Sequence, residues 1–171
     1  MDIGKPAGVP CTHCIEGKGC RIYHTRPEEC RLFNCRFLHD PSLREEWRPS
    51  KSRIVVVVTP DRQRIAAHVD PERPGAWRRE PFYSQFKAWA RELASQPDRV
   101  GQMYVAIGKH TIVILPDRNV DVGIVEDDEI VITKKSYGAR GLAYEAIKIK
   151  REQAAELLRD AQTGARDGSA L

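Results

Sequence analysis

No cysteine follows Cys35 in this chain of 171 residues, no aliphatic run exceeds five residues, and aromatic residues make up only 7%. The missing long apolar run excludes a membrane-spanning helix, which needs about 20 such residues; the longest stretch here is Ile54–Val58. Residues Met1-Asp2-Ile3-Gly4-Lys5-Pro6 hold no apolar core of a secretory signal, so a cytoplasmic address is expected. A strong charge of one sign is also lacking. Lys and Arg total 28 against 24 Asp and Glu, a net +4, less than a dedicated nucleic-acid protein carries. No phosphate loop, dinucleotide fingerprint, repeat or low-complexity tract is present. No serine or cysteine nucleophile can be matched to a base, so the sequence identifies no catalytic constellation.

What is present is a cluster. All five cysteines, Cys11, Cys14, Cys20, Cys30 and Cys35, fall within 25 residues, and the next 136 have none. Three causes compete. Disulfides want an even count and an oxidising compartment. Burial alone would distribute cysteines over the core strands as well. A metal or iron–sulfur centre needs several thiolates at one point, which local clustering supplies, and this is the reading the spacing favours. Cys11-Thr12-His13-Cys14 is a C-x-x-C unit able to chelate from a tight turn, a spacing that redox-active pairs share. The economical ligand set is Cys11, Cys14, Cys20 and Cys30, with Cys35 as a replacement or a fifth thiol. His13, His24 and His39 are further nitrogen donors, for which an exposed or capping role is the plainer reading. Zn2+ is the first expected occupant, in a mainly structural role, and a [4Fe-4S] cluster with a redox or enzymatic role is the alternative.

Thr25-Arg26-Pro27-Glu28 has the pattern of a capping box with proline in the first turn, which predicts a helix over about 26–38. Cys30 and Cys35 would then lie about 140° apart around its axis, sharing a face only if the helix breaks.

Together with Cys11-x-x-Cys14, the run Gly19-Cys20-Arg21-Ile22-Tyr23-x-x-Arg26-Pro27-x-x-Cys30-Arg31-x-Phe33-x-Cys35 resembles the YkgJ-like bacterial cysteine-cluster family, described as zinc- or iron-chelating. The likeness spans about residues 5–48, and Val69 to Trp89 also resembles the downstream part of shorter relatives. It implies a chelating site and no particular reaction. Ile15-Glu16-Gly17 stands where the family commonly has a further Cys-Cys pair, so the resemblance implies fewer ligands here.

Downstream the pattern is that of an α+β domain, with the cysteine-rich metal-binding module of 1–48 packed on a small, mostly antiparallel sheet with two helices over 49–161, and a flexible tail at 162–171. After a polar link at 49–52, Ile54–Val58 is a continuous β-branched run, expected as a strand buried on both faces. Arg64–Val69 is its expected partner. Pro81 opens a helix to about Ala94 whose apolar stripe is Phe82, Phe86, Trp89 and Leu93. Strands at 103–107 and 111–115 flank a hairpin turn, further strands are expected at 120–125, 129–134 and 142–149, and a last helix at 150–161. Charge is uneven: residues 51–100 hold 10 basic against 6 acidic groups. Arg62, Arg64, Arg78 and Arg79, with Trp77 beside the last two, suggest weak nucleic-acid contact, and a zinc-stabilised nucleic-acid binder is the third functional reading.

Overall fold

The computed structural model describes residues 11–15, 18–33, 35–60, 63–96, 101–138 and 141–156. The order of elements is that of an α+β protein. First come two short strands, β1 (Cys14–Ile15) and β2 (Gly19–Cys20), paired antiparallel. Gly19 has φ +101°, a conformation that side chains disfavour. Three short helices follow: α1 (Glu28–Leu32), α2 (Arg36–His39) and α3 (Pro49–Ser52).

The single helix predicted over 26–38 is therefore two pieces. Helix α1 begins after Pro27 rather than through a Thr25 cap, and Glu28 and Glu29 in its first turn suit the helix dipole. It stops at Phe33, whose backbone is extended with φ −67° and ψ 116°. Nothing in the apolar spacing of this stretch forces one face inward, and Leu32, Phe33 and Leu38 are left exposed. A short helix with no buried face has little to hold it together against fraying.

The main sheet has five strands in the order β3 (Ile54–Val58), β4 (Arg64–Val69), β5 (Gln102–Ile107), β6 (His110–Ile114) and β7 (Asn119–Ile124). Only β4 and β5 are parallel. Parallel strands need a long crossover, which here contains α4 (Phe82–Ala94). Helix α4 buries Phe82, Phe86, Trp89 and Leu93, the predicted stripe, together with Ala90 and Ala94. Against it lie Ile54, Val56, Ile65, Ala67, Val69, Met103, Val105, Ile112 and Ile114 from one face of the sheet. Trp47, 5% exposed, belongs to the same core and meets Phe82 edge-on at 4.8 Å between ring centroids. The polar link at 49–52 is thus a helical turn built onto this core, and Arg53 after it takes the left-handed φ of +61° that ends helices.

Strand β3 differs from its expected place. Its β-branched run suggested a central strand, yet it is the edge of the sheet. Alternate residues face the core, and the rest are half-buried. The edge is partly covered by α2, and Ser52 Oγ accepts from the Ile54 amide at 3.1 Å. Covering of this kind protects an edge strand.

A long hairpin, β8 (Glu129–Gly138) and β9 (Gly141–Lys150), forms a second layer. Its Val131, Tyr144 and Ala146 pack with Val113, Leu115 and Tyr104 on the other face of the main sheet. Gln102, buried at the start of β5, fastens the hairpin by donating from Nε2 to Thr133 Oγ1 at 2.9 Å and to the Val131 carbonyl at 3.4 Å. Helical backbone resumes over 151–156 with Ala154 buried; the rest of the predicted last helix and the tail lie outside the described residues. Among the described residues no helix is long and apolar enough to cross a membrane.

Candidate functional site

The cysteine segment is assembled by the backbone. The Cys14 amide donates to the Cys11 carbonyl at 2.9 Å, closing the C-x-x-C turn. The Arg21 amide donates to the His13 carbonyl at 2.8 Å, which fixes the register of β1 against β2. Cys14 stands directly opposite Cys20. In an antiparallel pair the hydrogen-bonded positions alternate with non-hydrogen-bonded ones. His13 and Arg21 occupy a hydrogen-bonded position, so Cys14 and Cys20 occupy the non-hydrogen-bonded one. There Cα atoms approach to about 4.5 Å and the side chains lie closest. Both residues are exposed.

Cys11, half-buried, opens the same turn as Cys14, and the other two thiols are on other elements. Cys30 is half-buried on α1, and Cys35 is buried at the residue preceding α2. Cys35 is tied into the body of the protein through its neighbours: the Arg36 guanidinium lies 4.2 Å from the centre of the Trp89 ring, and Phe37 packs against the core. The extended backbone at Phe33 separates it from Cys30.

This dispersal overturns the metal-binding function expected of the cluster. Among the described residues no group of three or more His, Cys, Asp or Glu side chains is placed to hold a metal ion. The five thiols are adjacent in sequence, but Cys11, Cys14, Cys20, Cys30 and Cys35 are distributed over a turn, a hairpin, a helix and a buried helix start. The α+β architecture is observed, and a metal-binding module is not shown among the described residues of 1–48. The histidines do not complete a set either. His13 Nδ1 lies 3.4 Å from Arg21, His24 meets the Tyr23 ring edge-on at 5.7 Å, and His39 ends α2.

The arginines are also dispersed. Arg62 lies outside the described residues. Arg64 opens β4 beside the start of β5, whereas Arg78 and Arg79 follow the far end of that strand. Trp77 is 1% exposed, and the Arg78 guanidinium lies 4.4 Å from the centre of its ring.

A pair not singled out from the sequence is His110 Nε2 with Asp121 Oδ1, 2.6 Å apart. The His110 hydrogen bond, then the Gly123 amide, hold the Asp121 carboxyl below its ordinary range. The two residues lie on paired strands, and among the described residues no serine, threonine or cysteine side chain hydrogen-bonds to either of them. The β6–β7 ladder shifts register between Thr111 and Ile112, beside this pair, a feature that no sequence spacing announces.

No family model, curated protein or solved structure matches this chain.

Proposed function

We propose that Cys14 and Cys20 form a redox-responsive dithiol that closes reversibly to a disulfide. The observation that carries this reading is their register: they are cross-strand partners at a non-hydrogen-bonded position, and both are exposed. Disulfides need Cα atoms within about 4.4–6.8 Å, and this position meets that requirement without moving the backbone. Cys30 and Cys35 are set on separate elements and have no such cross-strand partner.

The oxidant is a low-molecular-weight disulfide. The thiolate of one cysteine attacks a sulfur of the oxidant, forming a mixed disulfide and expelling one thiolate. The second cysteine then attacks the chain sulfur of that mixed disulfide and expels the other thiolate. The chain loses two protons and two electrons, and the oxidant leaves as two thiols. Closing this small ring removes conformational freedom from the open segment, by about 2 kcal/mol on the loop-entropy relation.

The test is oxidation of the full chain with glutathione disulfide, followed by non-reducing peptide mapping. The expected product is lighter by about 2 Da, the mass of two hydrogens, and links Cys14 to Cys20. Cys20→Ser should stop at the mixed disulfide on Cys14. A linkage between Cys11 and Cys14, or no intramolecular linkage, would overturn the assignment.

A further inference from the structure

Two polar residues at the starts of paired strands share one face of the main sheet. Strands β4 and β5 run parallel with Arg64 beside Gln102, so both side chains leave the sheet on the same side, from backbones about 4.8 Å apart. Tyr104, the next residue of β5 on that face, packs with Val131 of the β8–β9 hairpin. Burial raises the Tyr104 phenol and the Arg64 charge offsets part of that rise, which sets the guanidinium on the hairpin side. The Gln102 amide donates to the Gln63 carbonyl at 2.7 Å and ties the two strand starts together.

Strand β8 meets this corner with its edge. The Arg151 amide donates to the Asp128 carbonyl at 2.8 Å, which fixes the alternation of the β8–β9 ladder. Counting from that pair, the backbone groups of Val131 and Thr133 point away from β9. Gln102 agrees with this direction, because its Nε2 donates to the Val131 carbonyl at 3.4 Å and to Thr133 Oγ1 at 2.9 Å. Gln63, Arg64, Gln102, Val131, Ile132 and Thr133 line a cleft of about 160 Å³.

The hydrogen-bonding capacity left over in the cleft selects its occupant. A carbonyl only accepts, so the nitrogen of the buried Gln102 amide is the atom facing Val131, and Oε1 is left as an acceptor. That oxygen accepts from no described residue and is not sealed from solvent. Thr133 Oγ1 accepts from Gln102, which leaves the hydroxyl hydrogen to donate. The outward Thr133 amide is a second donor. Among the described residues Arg64 has no ion-pair partner, and no carboxylate lines the cleft. Donors and a cation beside a single acceptor suit a carboxylate that also carries a hydroxyl. An ammonium in place of the hydroxyl would be repelled by Arg64. A cavity of about 150 Å³ holds benzene, so this volume suits a ligand of about six non-hydrogen atoms.

We infer that the cleft binds a small 2-hydroxycarboxylate. Its carboxylate meets Arg64 and Thr133, its hydroxyl donates to Gln102 Oε1, and its alkyl end lies against Val131 and Ile132. The inference uses none of the cysteines and stands apart from the thiol reading.

The test titrates the full chain with lactate, propionate, lactamide and inorganic phosphate, read from backbone and side-chain amide shifts. Lactate should bind saturably with a Kd of about 1 mM, as expected for so small a ligand, and move the Thr133 amide and the Gln102 side-chain amide. Propionate lacks the hydroxyl and should bind about fivefold more weakly, the loss of one neutral hydrogen bond. Lactamide lacks the charge and should bind at least about tenfold more weakly. Arg64→Gln, at an exposed position, should weaken lactate by at least about tenfold. Lys134→Gln, on β8 but outside the cleft, should leave it unchanged. The inference is overturned by equal binding of propionate or lactamide, by phosphate binding more tightly than lactate, by equal losses in the two variants, by shifts that bypass Thr133 and Gln102, or by no saturation at about 100 mM lactate, roughly a hundredfold above the expected Kd.

Discussion

Trp47→Ala tests whether the segment before the sheet is a separate module or part of one core. Trp47 comes before the strands, yet its ring lies 4.8 Å from Phe82, 5.5 Å from Trp89 and 5.8 Å from Phe86 between centroids. All four are buried. Truncating a core tryptophan to alanine costs about 3–5 kcal/mol through lost burial and the cavity left behind. The aromatic geometry adds about 0.5–1.5 kcal/mol per well-oriented pair, which places the expected loss near 5 kcal/mol. For a domain of this size each kcal/mol moves the melting midpoint by about 2–4 °C, so a fall of about 10–20 °C is expected. Urea unfolding followed by circular dichroism and by the fluorescence of Trp77 and Trp89 measures it, and both signals should shift together. A displacement of the sheet transition below about 1 kcal/mol, well short of the loss expected for a buried tryptophan, would refute the shared core. Trp47→Phe keeps an aromatic ring in place and should lose much less.

Two further predictions concern packing and charge. A Cβ on Gly101 would lie 2.7 Å from Leu93 Cδ2, 2.8 Å from Leu93 Cβ and 3.1 Å from the Gln63 carbonyl oxygen. Gly101→Ala should therefore destabilise by about 1–3 kcal/mol in a thermal melt, and an unchanged melt would show that the backbone yields freely there. The Glu45 carboxyl is held down to about 2 from 4.5, first by the Arg48 hydrogen bond and then by Lys51. Its folded value lies below the unfolded one, so its contribution is complete above pH 4.5 and is lost as pH falls toward 2. Carbon-13 titration of the carboxyl should show that low midpoint and its rise in Arg48→Met; a midpoint already near 4.5 in the parent chain would refute the ion pair.

The parts of the fold legible in the sequence are those where one face is buried and the period is therefore enforced. The α4 stripe of Phe82, Phe86, Trp89 and Leu93 is one, and the β5–β6 hairpin about Gly108, which has φ +59°, is another. The place of β3 was not legible. A β-branched run is equally suited to a central strand and to an edge packed on one face and partly covered by a short helix. The cysteine segment departs from its sequence expectation for a related reason. Spacing along the chain states which thiols can meet, while the backbone path decides which do, and the break at Phe33 sends Cys35 into the body of the protein. The register that opposes Cys14 to Cys20 depends on a turn whose pairing partner is seen only once the strands are built.

The edge position of β3 carries a consequence for how the chain behaves when damaged. Ile54–Val58 has no charge, no proline and five consecutive β-branched residues, a composition prone to cross-β stacking when its edge is bared. What blunts it is local: α2 lying against the strand and the Ser52 hydroxyl occupying the first outward amide. A proteolytic nick that detaches α2 while sparing the sheet would leave a native-looking fragment with a template for fibril growth along one side. Loss of solubility in that fragment would precede loss of its secondary structure.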